Sequence, residues 1–249
     1  MPGRQNRQPR LRRLSLRRLD DHMANKGNSR HVKGLASSRY FAVHRKERRY
    51  VMKPAAGRHT LDRSIPIALF AEKAGIAGSS AEAAAFARKR VFKVNGREVR
   101  DPKYPVGLND VVAVDGIGQS YAIGINERAQ VTVERGEEGH EDRRLCKVVQ
   151  RYKARGGIVM MRLHDGSIMK SGKEVEVNDS VILVGGAVGK VLKLGKGSRC
   201  MVVDGVHVGA EGSIREIKKG TMKTAPSVLV GLDSGEGFET LLKNIMVVG

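Results

Sequence analysis

The sequence has no tryptophan, aromatic residues make up only 4% of it, and it contains two cysteines, Cys146 and Cys200. So few large rings point to several modest cores rather than one broad enzyme core, since 40% of the chain is still apolar. Neither cysteine lies in a CxxC pair or beside a paired histidine, so no zinc site and no disulfide framework is expected. Two buried thiols in a reducing compartment account for them. No apolar run nears the roughly 20 residues that span a bilayer, so the chain reads as soluble, without a membrane partner. It also lacks the GxxxxGK[ST], HExxH and GxSxG patterns, and no cofactor, metal or small-molecule substrate is expected.

Acid is scarce as well: 26 Asp and Glu stand against 46 Lys and Arg, a formal charge of +20. Such an excess favours a polyanion, because each cation set on a phosphate releases condensed counterions. Residues 1–60 hold 17 of the cations and three of the acids, so the excess sits mainly at the N-terminus. Seven arginines precede the first acid, Asp20, which describes a basic tail. From His31 to Arg63 basic residues alternate with Tyr40, Phe41 and Tyr50 without periodicity, and an extended strap over a charged surface is expected. Tyr40 or Tyr50 could stack on an unpaired base, with burial within the arm as the equal alternative.

The remainder divides into units, giving a multi-domain α+β chain. The expected divisions are a basic arm over 1–63, a helical unit over 64–116, a central β domain over 117–195 and a small barrel over 196–249. Pro66 suits the first turn of a helix that runs to Gly75, and Ser79-Ser80-Ala81-Glu82 has capping-box spacing for a second. Asn95-Gly96 between alternating segments predicts a tight hairpin, since both turn residues need positive φ. Beyond Gly116, short apolar runs separated by Gly and Asp predict strands, among them Leu145–Gln150, Ile158–Leu163, Val181–Val184, Ser213–Ile217 and Val228–Leu232.

Two helices with a basic end, Arg88-Lys89-Arg90, followed by the Val94-Asn95-Gly96 hairpin resemble the alpha-L RNA-binding motif. That motif is shared by several ribosomal proteins, tRNA synthetases and pseudouridine synthases. Gly205, Gly209 and Gly212, spaced between two expected strands, resemble the KOW turn of an SH3-like barrel, whose glycines let nucleic-acid backbone come close. Together with His31-Val32-Lys33-Gly34-Leu35, Arg144-Leu145-Cys146-Lys147-Val148 and Leu163-His164-Asp165-Gly166, the order of these units is similar to one family. It is the archaeal and eukaryotic small-subunit ribosomal protein four-e family, matched from about His31 to Gly249 and archaeal in type. The chain departs from the usual family pattern at Gly34 and at Ser37-Ser38. Met23-Ala24 resembles the usual start, so residues 1–22 read as an extension or an alternative upstream start.

The resemblance implies a cytoplasmic, ribosome-bound protein, a structural constituent of the small subunit that binds ribosomal RNA beside neighbouring ribosomal proteins. The placement of charge puts RNA on the arm residues Arg30, Lys33, Arg39, Arg45, Lys46, Arg48, Arg49 and Lys53, and on Arg88, Lys89, Arg90 and Lys93. It adds Lys193, Lys196, Arg199, Arg215, Lys218 and Lys219 around the KOW turn. A KOW-containing transcription elongation or other nucleic-acid-binding factor is the alternative, set aside because the alpha-L unit points to folded RNA and no major-groove helix is evident. Two enzyme readings are weaker. Arg18-Leu19-Asp20 has the letters of a pseudouridine synthase but sits in the arm, where nothing walls a pocket. His164-Asp165-Gly166 has the letters of a metal phosphohydrolase but lies in a β-rich stretch, where a turn explains it.

Overall fold

In the computed structural model, residues 32–116, 118–136, 143–172, 174–232 and 237–249 are described. Residues 1–31, with the expected extension and Arg30, lie outside them.

Local chemistry fixes the first unit. Pro66 holds φ at −68° ahead of helix α1 (Ile67–Lys73), and Gly75 leaves the helix at φ +71°. Ser79 caps helix α2 (Ser80–Arg88) by accepting the Glu82 N–H at 3.3 Å. The Glu82 carboxylate accepts the Gly78 N–H at 2.9 Å, so the reciprocal bond closes one residue earlier than a standard box. The hairpin turn has Asn95 at φ +50° and Gly96 at +74°, the two positive angles a two-residue turn requires. It joins Phe92–Val94 to Arg97–Val99 at one edge of a five-stranded antiparallel sheet, continued by Val111–Val114, Gln119–Ile125 and Val131–Arg135. Both helices bury Ile67, Phe70, Ala83 and Ala87 with Phe92, Val112 and Ile123 of this sheet, and Phe70 meets Tyr121 edge to face.

The expected division at Gly116 does not coincide with this sheet. All four residues of Val111–Val114 are buried, and they pair with Phe92–Val94 on one side and Gln119–Ile125 on the other. Asp115-Gly116, with Gly116 at φ +94°, is therefore part of a hairpin connection rather than a linker. The strap expectation also needs correcting. Short turns replace an extended run, and Tyr40 and Phe41 are sunk in the first core, because two rings repay burial better than exposure on a charged surface. Gly34 is required here: a Cβ on it would lie 2.3 Å from the Arg48 carbonyl oxygen.

The central sheet runs Ile168–Lys170, Val159–Leu163, Arg144–Lys153, Ser180–Val184, Ala187–Leu192, over a core of Cys146, Val148, Met161, Leu163, Val181 and Leu183. The last, SH3-like unit runs Gly237–Leu241, Ser227–Gly231, Glu211–Lys218, Arg199–Val202, Ile245–Val247, over Cys200, Ile214, Val228, Val230 and Ile245. Both cysteines are free and buried, and burial pushes the Cys146 thiol up to about 12 and Cys200 to about 11. Burial thus disfavours the thiolate, the form in which a cysteine acts as a nucleophile.

Buried polar groups tie the three units together. Asp110 accepts from Asn95 Nδ2 at 2.8 Å and from the Gly107 N–H at 2.9 Å, and its carboxylate lies 2.7 Å from His59 Nε2. Burial alone would raise its pKa, but His59 and these hydrogen bonds outweigh it and hold the carboxyl below its usual range. From the central unit, His164 Nδ1 accepts the Lys147 N–H at 3.2 Å while Nε2 reaches the Leu108 carbonyl of the first unit at 3.3 Å. Lys147 Nζ crosses to the last unit and donates to the carbonyls of Leu242, Lys243 and Ile245 at 3.0, 3.0 and 2.6 Å. Burial pushes this ammonium down to about 8. Asn109 donates to the Leu145 carbonyl and Val247 N–H to Ser180 Oγ, each at 3.1 Å.

Candidate nucleic-acid interface

Three clefts, beside Arg39, Met222 and Tyr152, are shallow and open, a form that suits contact with a polyanion better than capture of a small molecule. The chemistry lies in cations, and the fold gathers them in separate groups.

The first group belongs to the arm. Lys33 pairs across a two-residue ladder with Tyr50, and the Arg49 guanidinium lies over the Tyr50 ring, 5.4 Å from its centre. Tyr50 is 49% exposed, whereas Tyr40 is buried. Arg39 and Arg45 line an open cleft of about 380 Å³ with Ser38, Gln130 and a third arginine, Arg128. Ala42 and Ala129 hold positive φ at and beside it, a backbone state that alanine adopts only when surroundings impose it. Lys46 is exposed, and Arg48 is held at 3.0 Å by Glu72 of α1. Lys53 departs from expectation: it is buried, beside buried Pro54 and Ala55, so its cation is not presented to a partner.

The second group is the end of α2. Arg88 and Lys89 are exposed, and Arg90 projects from a left-handed residue at φ +62° that ends the helix. Arg90 and Lys93 hold exposed ion pairs with Glu98 at 3.4 Å and Asp115 at 2.8 Å. Pairs of this kind are weak enough to yield to a phosphate.

The third group surrounds the last barrel. Lys193, Lys196 and Lys219 are exposed; Arg199 pairs with Glu211 at 3.0 Å and Lys218 with Glu239 at 2.9 Å. The Arg215 side chain lies across Gly231, where a Cβ would collide with it. The KOW glycines behave differently from the expectation of backbone left open to nucleic acid. Gly205 and Gly209 have positive φ, at +103° and +80°, but Gly212 does not. The close approach at Gly209 is to Asn126 and Glu127 of the first unit, and at Gly212 to the Gly231 carbonyl. These glycines admit protein backbone, and Arg63 pairs with Asp204 to hold the turn against the first unit. Only the tip, Gly205 to His207, is exposed, with His207 stacked on Phe238 at 4.1 Å.

His164-Asp165-Gly166 is a turn. Gly166 has φ +81°, Asp165 accepts from Ser167 N–H and Oγ, and Arg144 pairs with it at 2.9 Å. Sequence reasoning passed over Arg128, because a lone cation in the Asn126–Gln130 turn has no motif and only tertiary folding brings it beside the arm.

A profile of the ribosomal family S4e matches residues 117–184, and one of the S4 domain matches residues 66–112. The small ribosomal subunit protein eS4 of Methanococcus vannielii is 27% identical over 240 residues, spanning 91% of this chain and 97% of the relative. That of Desulfurococcus amylolyticus is 30% identical over 245 residues, spanning 91% and 95%. The crystal structure of the 30S ribosomal protein S4e from Thermoplasma acidophilum superposes with a TM-score of 0.63 at 23% identity, covering 76% of this chain and 96% of that one.

Proposed function

The chain belongs to the ribosomal family S4e, and from that premise we propose that it is a structural constituent of the small ribosomal subunit, holding ribosomal RNA and supporting assembly and translation. The family is one of structural proteins, not a class of enzyme. The observation that carries the reading is the contrast in cation placement. Lys147, which joins the central unit to the last, is buried on three protein carbonyls, while the arm, the end of α2 and the last barrel keep cations at the surface.

Affinity comes from Lys and Arg to phosphate, and specificity from RNA shape, since an A-form duplex hides its base edges. Arg39, Arg45 and Arg128 grip one stretch of backbone, Arg88, Lys89 and Arg90 a second, and Lys193, Lys196 and Lys219 a third. The exposed face of Tyr50 offers a stacking surface. The KOW glycines set the last barrel against the first unit and so fix the spacing of the cation groups. Neighbouring small-subunit proteins, in the cytoplasm, are the remaining partners.

Sucrose-gradient fractionation of native lysate, repeated after a high-salt wash, tests this. Retention on the small subunit through the wash is the expected result; migration with RNA polymerase would overturn it in favour of an elongation factor. For purified protein on an RNA duplex, neutralising about six phosphates gives a slope of log K against log salt near −5. A flat dependence would overturn the charge argument.

A further inference from the structure

The sheet of the central unit contributed no RNA-binding residue to the sequence analysis, yet three of its strands have an unusual composition. Strands Arg144–Lys153, Val159–Leu163 and Ile168–Lys170 contain six basic residues and no acid. Arg144 and Lys147 are spent inside, on Asp165 and on the last unit. The strand register divides the other four: Arg151, paired with buried Met161, and Lys153 lie on the opposite face from Arg162 and Lys170. Gln150, Arg162 and Ile168 form one row across the three strands, and Tyr152, Met160 and Lys170 form the next.

Residues two apart on a strand share a face, so both rows look the same way. That way is outward: Ile168 is 54% exposed and Tyr152 37%, whereas Met161 on the opposite face is fully buried. Gln150, Tyr152, Arg162, Gly166 and Ile168 line an open groove of about 410 Å³ there.

We propose that this face binds an unpaired stretch of RNA, with a base stacked on the Tyr152 ring and the adjoining phosphates held by Arg162 and Lys170. The proposal rests on the ribosomal reading and extends it to a unit and a mode of recognition not assigned above. An exposed ring beside Ile168 and Met160 gives a flat apolar surface that a base plane can cover, as on other single-strand platforms. The cations in the same two rows, with no acid on the three strands, select a polyanion over a protein surface of mixed charge. A duplex buries its base faces and cannot use the ring.

The test compares the full chain with Tyr152→Ala, Tyr152→Phe and the pair Arg162→Gln with Lys170→Gln. The probes are octauridylate and an RNA duplex, in salt high enough to weaken plain phosphate contacts. Tyr152→Ala is expected to weaken octauridylate binding about tenfold while changing duplex binding less than twofold, with Tyr152→Phe close to the parent. The paired charge variant should weaken octauridylate binding too, and ultraviolet crosslinking should map the uridine to the peptide carrying Tyr152. An unchanged affinity in Tyr152→Ala, equal losses on both probes, or crosslinks confined to the arm would overturn the proposal and leave the face to a protein neighbour. Absence of duplex binding by the parent chain at low salt would instead overturn the ribosomal reading, so the two failures are distinguishable.

Discussion

Arg144 and Lys147 at the junction and Arg88 and Lys89 at the end of α2 are the same residue types, yet they do opposite work. The junction pair is nearly sealed from solvent, one cation on a carboxylate and the other on three carbonyls. The helix-end pair stands in water. A buried cation is expensive to desolvate, so Lys147, whose three acceptors all belong to the last unit, sets how that unit sits. An exposed cation costs the fold little and is free to exchange water for phosphate. Net charge treats the two alike; only packing separates them.

The sharpest way to break the comparison is Asp110→Ala. It strands Asn95 Nδ2, the Gly107 N–H and His59 together, so a loss of about 3–5 kcal/mol is expected in denaturant melts. Lys147→Met comes next. With three carbonyls left without their donor, the loss should be roughly 2–3 kcal/mol, and hydrogen exchange should quicken in the last unit before the first.

Acid should loosen the same junction. Burial, and then His59, lower the pKa of His164, so the folded state resists its protonation. The unfolded chain binds that proton from about pH 6.5 downward, so stability falls as pH drops through the window between the two values. His164→Gln should flatten the fall in a pH series of melts. Ser79→Ala, which removes only the cap of α2, should cost about 1 kcal/mol. Smallest on stability is the triple change Arg88→Gln, Lys89→Gln, Arg90→Gln. Its melt should move by less than about 0.5 kcal/mol, while the slope of log K against log salt becomes shallower by roughly 2–3. A large melting shift there, or none at the junction, would erase the distinction.

What could be read from the sequence follows the range of the interactions. The Asn95-Gly96 turn, the Ser79 cap and the turn at Gly166 depend on neighbours a few residues away, and their letters announce them. The alpha-L and KOW units were legible for the same reason. The burial of Tyr40, the sealed position of Lys53 and the arrival of Arg128 beside the arm depend on groups far along the chain, and no local pattern encodes them. The glycines of the KOW turn fall between. Their need for small size was readable, but the backbone that fills the space, Asn126 and Glu127, was not.

The reach of Lys147 also orders events in time. Its carbonyl acceptors lie 95 to 98 residues later in the chain. At roughly 5–20 residues per second, translation leaves the lysine waiting roughly 5–20 seconds for them. During that interval the central sheet, complete by Leu192, can form with the ammonium still hydrated. Docking of the last barrel is then a late step in the life of the nascent chain, and the nascent central unit meets RNA, chaperones or solvent before its own neighbour arrives.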